Sequence, residues 1–343
     1  MASKRKIVAA LTFLMSLHLA ILFAGFIAPY SPATQNRDFP FAPPMRLHFV
    51  DARGHLHVHP FIYRWAARLD GLYEYEESRE CEYPVHLFVV GPEYKIVGLW
   101  PSRIHLFGVE SPAQIFLAGT DTYGRDQFSR ILYGGRISLA AGLLATGISL
   151  LLGLLIGCIS GFYGRWIDES AMRLAELFLV LPWLYLLLAV RAFLPLHISP
   201  IQTFFLLIAV IGTIGWARPA RLVRGIVLSA KVRKYVTASR GFGASDYYIL
   251  RRHVLPQTYG ILLTQAALLV PQYVIAEVTL SFFGLGLSEP MPSWGNLLAN
   301  LQQYSVLVSY WWMFAPALAL VLVSFGYLNV ANAFHERLQS GSI

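Results

Sequence analysis

KVRKYVTASRGFGASDYYILRRHVLPQ, residues Lys231–Gln257, separates two long apolar runs and is dense in cations. Its two glycines, Gly241 and Gly243, sit two positions apart. Glycine costs about 1 kcal/mol inside a helix, so the pair predicts a joint between two short helices. Pro256 has no backbone N–H to donate, which suits the start of the following helix rather than the middle of this one. A jointed basic knuckle between membrane helices is a surface on which a partner can push; its plainer reading is a basic loop.

The flanking runs decide the setting. Of 343 residues, 56% are hydrophobic and 13% charged, and the mean hydropathy is +0.53. Soluble domains carry about 25% charged residues, so this composition is that of a membrane protein. The net charge of +8 then reads as an orientation signal. No basic cluster is interleaved with aromatics on a polar domain, so nucleic acid is not an expected partner. Cys81 lies in a polar stretch and Cys158 in an apolar one, which gives neither a disulfide framework nor a thiolate metal site. There is no G-x-x-x-x-G-K-[ST] phosphate loop. No Ser-His-Asp or paired-carboxylate arrangement is evident, so no catalytic residue and no cofactor is expected.

Working outward from the knuckle gives six spans. Lys4, Arg5 and Lys6 precede the apolar run Ile7–Ile27, which is long enough to cross a bilayer and too long for a signal-peptide core. Further runs cover about 137–160, 171–194, 202–222, 258–283 and 308–333. The short loops 194–203 and 284–309 contain no Lys or Arg, whereas 218–252 contains nine. The positive-inside rule therefore puts residues 231–257 and both termini in the cytoplasm. The chain divides into 1–29 (N-terminus and first span), 30–118 (an extracytoplasmic insertion), 119–136 (an outer segment) and 137–343 (the transmembrane core with the knuckle).

Within the insertion, Arg46–Tyr63 reads as two strands around an Asp51–Gly54 turn. Val85–Val90 and Tyr94–Trp100 read as a second pair around Gly91–Glu93. The acidic patch Glu74–Glu82 reads as a solvated loop. His55, His57 and His59 alternate, so a strand turns all three to one side. No carboxylate at a matching spacing joins them, so a solvated face is expected and no metal site. From Asp121 to Arg136 the pattern suggests a turn and an amphipathic helix at the outer membrane face. Its Arg125, Arg130 and Arg136 suit headgroups or carboxylates.

Three segments carry a resemblance. GTDTYGRDQFSRILYGGRISL (Gly119–Leu139) resembles the GTDxxGRDxxSRLIYGxRxSL segment of the C-type permeases of the peptide/nickel ABC-importer family. SFFGLGLSEPMPSWGN (Ser281–Asn296) resembles that family's SFLGLGxxPPxPSWGxM. The knuckle is similar to the coupling loop of ABC-importer permeases, in which Glu-Ala-Ala is followed after three residues by Gly and after nine more by Ile-x-Leu-Pro. The aligned residues are Thr237, Ala238, Ser239, Gly243, His253, Leu255 and Pro256, with Thr237, Ser239 and His253 replacing Glu, Ala and Ile.

The resemblance implies an all-α polytopic membrane protein with six transmembrane helices, ABC type I importer permease-like, plus the small β-rich insertion. Such a chain forms half of a pathway for peptides or a similar small solute across the cell inner membrane. Its implied partners are a second permease subunit, cytoplasmic ATPase subunits and an extracytoplasmic solute-binding protein. The ATPase would grip Thr237, Ala238, Ser239, Gly243, Leu255 and Pro256.

Charges inside spans are functional candidates by default. Glu277 has no neutralising neighbour in its own run. Glu176 follows Arg173 by three, which suits a same-face pair. Trp294 reads as an interfacial residue at the outer mouth, and these three are the pathway candidates. Arg218, Arg221 and Arg224 recur along one helix face as snorkelling anchors in the lipid bilayer. The alternative is a secondary transporter or channel working without an ATPase; it would need midplane charges or inverted repeats, and no convincing repeat is found.

Overall fold

The computed structural model describes residues 2–67, 73–96, 98–193, 195 and 198–339. Two compact units emerge, one from residues 1–14, 139–280 and 323–343, the other from 15–138 and 281–322. The helices are α1 (Ala2–Leu22), α2 (Ala24–Ile27), α3 (Gln127–Tyr163), α4 (Arg165–Val180), α5 (Trp183–Phe193), α6 (Pro200–Ile214), α7 (Ala217–Lys231), α8 (Lys234–Gly241) and α9 (Asp246–Ile249). A π-helical turn, Leu250–Val254, leads into α10 (Leu255–Phe282), followed by α11 (Trp294–Ala299), α12 (Tyr304–Ser309) and α13 (Ala315–Gln339).

Among the described residues, four helical stretches are long and apolar enough to cross a membrane: Arg5–Leu22, Gln127–Tyr163, Asp246–Phe282 and Trp311–Phe334. Six result when each of two bent pairs is one span. These pairs are the expected third and fourth spans, and neither is straight. Helices α4 and α5 meet at 94°, because Pro182 pushes Leu181 out of helical geometry to ψ 134°. Helices α6 and α7 bend by 42° where Gly215 ends α6. The outer segment also differs from its reading: α3 starts at Gln127 and runs unbroken to Tyr163, so the amphipathic helix and the second span are one.

In the first unit, α3 packs on α7 along a stripe of glycines four residues apart. A Cβ on Gly153 would meet the Pro219 ring at 2.5 Å, and one on Gly157 the Ala220 carbonyl oxygen at 2.5 Å. On Gly161 it would come within 2.9 Å of Val227. Small residues at this period let two backbones approach where no hydrophobic force drives helices together. A polar tie supports the bundle: Ser149 donates to the Gly212 carbonyl (2.6 Å) and meets the Tyr273 hydroxyl (2.9 Å).

In the second unit, β1 (His48–Val50), β2 (Leu56–Ala67) and β3 (Tyr75–Pro84) form an antiparallel sheet in that order. Strands β4 (His86–Ile96) and β5 (Trp100–Gly108) form a separate hairpin. The Asp51–Gly54 turn is where the sequence placed it. The Gly91–Glu93 turn is not a turn: β4 runs through it with a register shift between Val90 and Tyr94. Packing explains this, since a Cβ on Gly91 would lie 2.6 Å from the buried His105 ring, which sits between the carbonyls of Ala28 and Pro92. The acidic patch is likewise strand β3, not a loop, because β2 supplies its ladder from Phe61 to Ala67. A hydrophobic core that includes Phe39, Met45, Ile62 and Phe116 underlies the sheet.

Candidate coupling site

The knuckle is rooted in the first unit by three apolar side chains. Val236 of α8, Ile249 of α9 and Val254 of the π turn are buried with Val223, Val227 and Ala230 of α7 and Cys158 and Phe162 of α3. The joint is real. Helix α8 ends at Gly241, Gly243 takes φ +81°, and Ser245 caps α9 by accepting from the Tyr248 N–H (3.3 Å). The left-handed backbone at Gly243 is one that glycine adopts without steric cost. Arg240 reaches back over the joint to Asp246 at 3.1 Å.

Beyond the joint, the structure departs from the expected helix start. Pro256 does not open a separate helix; α9, the π turn and α10 form one continuous rod from Asp246 to Phe282. The wider turn places the Leu255 N–H on the Leu250 carbonyl five residues back. One extra residue per turn is a usual way for a helix to absorb a local disruption, here immediately before a residue with no N–H.

The knuckle is also tied internally. Ser239 gives its one hydroxyl proton to the Tyr235 carbonyl (2.9 Å), so Nε2 of His253, 3.1 Å from the same oxygen, is the donor of the second bond. Tyr235 and Tyr248 flank the His253 ring. His253 thus clasps α8 to the rod, a role for which its non-family identity gave no signal in the sequence.

The opposite face is open. Thr237, Ala238 and Gly243 are exposed, Ser239 and Leu255 are half-buried, and Pro256 is exposed. Phe242 is 92% exposed and Tyr247 70%, beside the exposed cations Arg240, Arg251 and Arg252. Large aromatics left this exposed are free of packing within their own chain. Thr237 offers a short hydroxyl where the family pattern has a carboxylate, so it presents no charge there.

Helix α7 carries the knuckle and is clamped beyond the glycine stripe. Arg224 meets the Asp168 carboxylate of α4 with two guanidinium nitrogens, Ser160 donates to the same carboxylate, and Lys231 donates to the Gly161 carbonyl (2.8 Å). Arg224 is therefore an ion-pair residue, not the snorkelling anchor expected. The expected Arg173–Glu176 pair is also replaced: Arg173 bonds Glu169 one turn back, and Glu176 is exposed.

Of the other pathway candidates, Glu277 is fully buried in α10. Trp294 is buried too; its indole N–H donates to the Ile131 carbonyl (2.9 Å) and its backbone N–H to the Ser138 hydroxyl (3.1 Å). In that second unit Arg125 and Arg130 meet carboxylates rather than headgroups. Asp121 lies 2.7 Å from Arg125 and 3.1 Å from Arg130, and Glu289 bonds both at 2.9 and 2.6 Å. The two positively charged side chains thus staple the 119–130 segment to the 281–296 loop.

The profile of the family described as "Binding-protein-dependent transport system inner membrane component" matches residues 153–340, which include the whole knuckle. The dipeptide transport system permease protein DppC of Bacillus subtilis is 37% identical over 221 residues, covering 64% of this chain and 67% of that protein. The oligopeptide transport system permease protein OppC of the same organism is 35% identical over 239 residues, covering 69% and 72%. A solved structure of the MetNI methionine ABC transporter, inward facing, aligns with a TM-score of 0.43 at 18% identity, covering 60% of this chain and 95% of that one.

Proposed function

We propose, for a chain that belongs to the binding-protein-dependent transport system inner membrane component family and is the permease subunit of an ABC importer, that Lys231–Gln257 is the surface through which a separate ATPase drives it. The observation that carries this reading is the division of the knuckle into a buried root on α3 and α7 and an open aromatic, basic face. A force applied to Phe242 or Tyr247 reaches the spans through Val236, Ile249 and Val254. Closure of the ATPase dimer would tilt the α7–α8 corner and the α9–α10 rod together, and the bundle would pass between two states biased from a remote site.

The cargo is a peptide or a similar small solute, by analogy with the dipeptide and oligopeptide permeases it resembles. A second permease supplies the other half of the pathway, and a solute-binding protein delivers the cargo on the face opposite the knuckle. Both termini lie on the knuckle's side, which the cationic residues before and along the spans favour. Hydrolysis of ATP belongs to the partner. Of the pathway candidates, Glu277 is retained as a carboxylate buried within a span, a place where acidic groups pair with other polar groups or line a path.

The test is capture of the ATPase subunits by the detergent-purified chain. Phe242→Asp should cut capture at least about tenfold with the melting temperature unchanged, because the ring touches little of its own chain. Undiminished capture would place the grip elsewhere.

A further inference from the structure

The sequence offers three alternating histidines with no matching carboxylate. Folding supplies two. Asp51 sits in the β1–β2 turn, where its Oδ1 accepts the backbone N–H groups of Arg53 and His55, both at 2.8 Å. That fixes the carboxylate and leaves Oδ2 facing the imidazoles: Nε2 of His57 is 3.3 Å away and Nδ1 of His55 is 3.1 Å away. Glu82 comes from β3, with Oε2 at 3.6 Å from the same His57 nitrogen. One ligand atom each from Asp51, His57 and Glu82 lies within 4.8 Å of the others.

We propose that Asp51, His57 and Glu82, with solvent as the fourth donor, form a binding site on the insertion for a borderline divalent cation of the Zn²⁺ class. Four donors about 2.0–2.1 Å from a tetrahedral ion stand roughly 3.3–3.4 Å apart. The Asp51–His57 and His57–Glu82 separations of 3.3 and 3.6 Å bracket that edge, and the remaining one lies within 4.8 Å, so closure needs only side-chain rotations. Two carboxylates balance a dication, and imidazole with carboxylate is a donor set suited to zinc-like ions rather than Ca²⁺ or Mg²⁺. Oδ1 in its turn hydrogen bonds supplies the outer support that orients a ligating carboxylate. Access is open: the Asp51 side chain is 8% exposed, but those of His57 and Glu82 are 38% and 36%. Bound there, an ion would pin β3 to the β1–β2 turn through side chains. His55, which reaches only Asp51, and His59, two residues along β2, belong to no such group among the described residues.

The experiment is equilibrium dialysis of the full chain in detergent against Zn²⁺, with metal content measured by mass spectrometry and Co²⁺ as the spectroscopic probe. The wild type and His59→Ala should each retain one Zn²⁺ per chain and give the visible absorption of four-coordinate Co²⁺. His57→Ala and the isosteric Glu82→Gln should each bind at least about tenfold more weakly. The Glu82 change sits on an exposed side chain and keeps its shape, so its loss of metal would not reflect misfolding. Equal retention by the wild type and both variants overturns the assignment, as does equal weakening in His59→Ala. A six-coordinate Co²⁺ spectrum in the wild type overturns it as well.

Discussion

Ser239 and His253 are fourteen residues apart, and the hydroxyl of one lies 3.1 Å from Nε2 of the other. This bond closes the knuckle on itself, tying α8 to the α9–α10 rod. His253→Ala removes the donor without touching the buried root. A single neutral hydrogen bond is worth about 1 kcal/mol net, so α8 amides should exchange roughly fivefold faster while α3 and α7 amides are unchanged. Hydrogen–deuterium exchange on the purified chain reads this directly. Unchanged α8 protection would make the clasp incidental.

The glycine stripe yields a prediction with an internal control. Gly157→Val puts carbon 2.5 Å from the Ala220 carbonyl oxygen, where neither backbone can yield without opening the α3–α7 contact. Overpacking of this kind costs about 1–3 kcal/mol, and the melting temperature in detergent should fall by several degrees. Gly147 lies on the same helix with nothing near its missing Cβ, so Gly147→Ala should be neutral or slightly stabilising. Equal effects of the two changes would refute close packing as the reason for the stripe.

Much of this architecture is legible in the sequence, and the exceptions share a cause. Periodicity and charge asymmetry locate the spans, and the Gly241–Gly243 spacing locates the joint, because each is a local property of the chain. Pro182 is visible as well and marks the break after α4, but the size of the bend, 94°, is not a local property that the residue type specifies. The Gly91–Glu93 turn fails for a tertiary reason: His105, fourteen residues on, fills the space beside Gly91, and β4 continues past it with a shifted register. Glu82 and Glu289 show no role in the sequence because their partners come from other elements, His57 on β2 and Arg125 and Arg130 around the start of α3. The stripe at Gly153, Gly157 and Gly161 is readable from spacing alone, and the long apolar run around it hides the signal.

Asp121 and Glu289 share Arg125 and Arg130 but differ in burial, which ranks their substitutions. Asp121 is 1% exposed and Glu289 45%. Asp121→Asn leaves the buried guanidinium of Arg130 short of a counter-charge, a change that costs about 3–5 kcal/mol in comparable sites. Glu289→Gln keeps the hydrogen-bonding shape at a wetter position, where a lost ion pair is worth about 1 kcal/mol or less. Melting curves of the two variants should differ by several degrees in that order. The reverse order would mean that the 281–296 loop, rather than the buried aspartate, holds the segment together.

Asp126 supplies the pH dependence. It caps α3, its Oδ2 accepting from the Ser129 N–H (2.8 Å) and hydroxyl (2.5 Å). Burial nevertheless pushes its carboxyl up to about 7, and the nearby Asp121 charge adds to the effect while the Ser129 bonds oppose it. In the folded chain the proton is held until about pH 7, whereas the unfolded chain releases it near the ordinary carboxylate value of 3.8. The folded state binds more protons between those limits, so stability falls as pH rises through that window and levels off above about 7. The shift corresponds to a loss on the order of 4 kcal/mol across the window. Asp126→Asn keeps a good cap without the charge and should flatten the decline, giving a higher melting temperature than the wild type at pH 8 and a similar one at pH 5. Parallel wild-type and variant curves over that range would mean that Asp126 stays ionised, held by the helix N-terminus more strongly than burial opposes it.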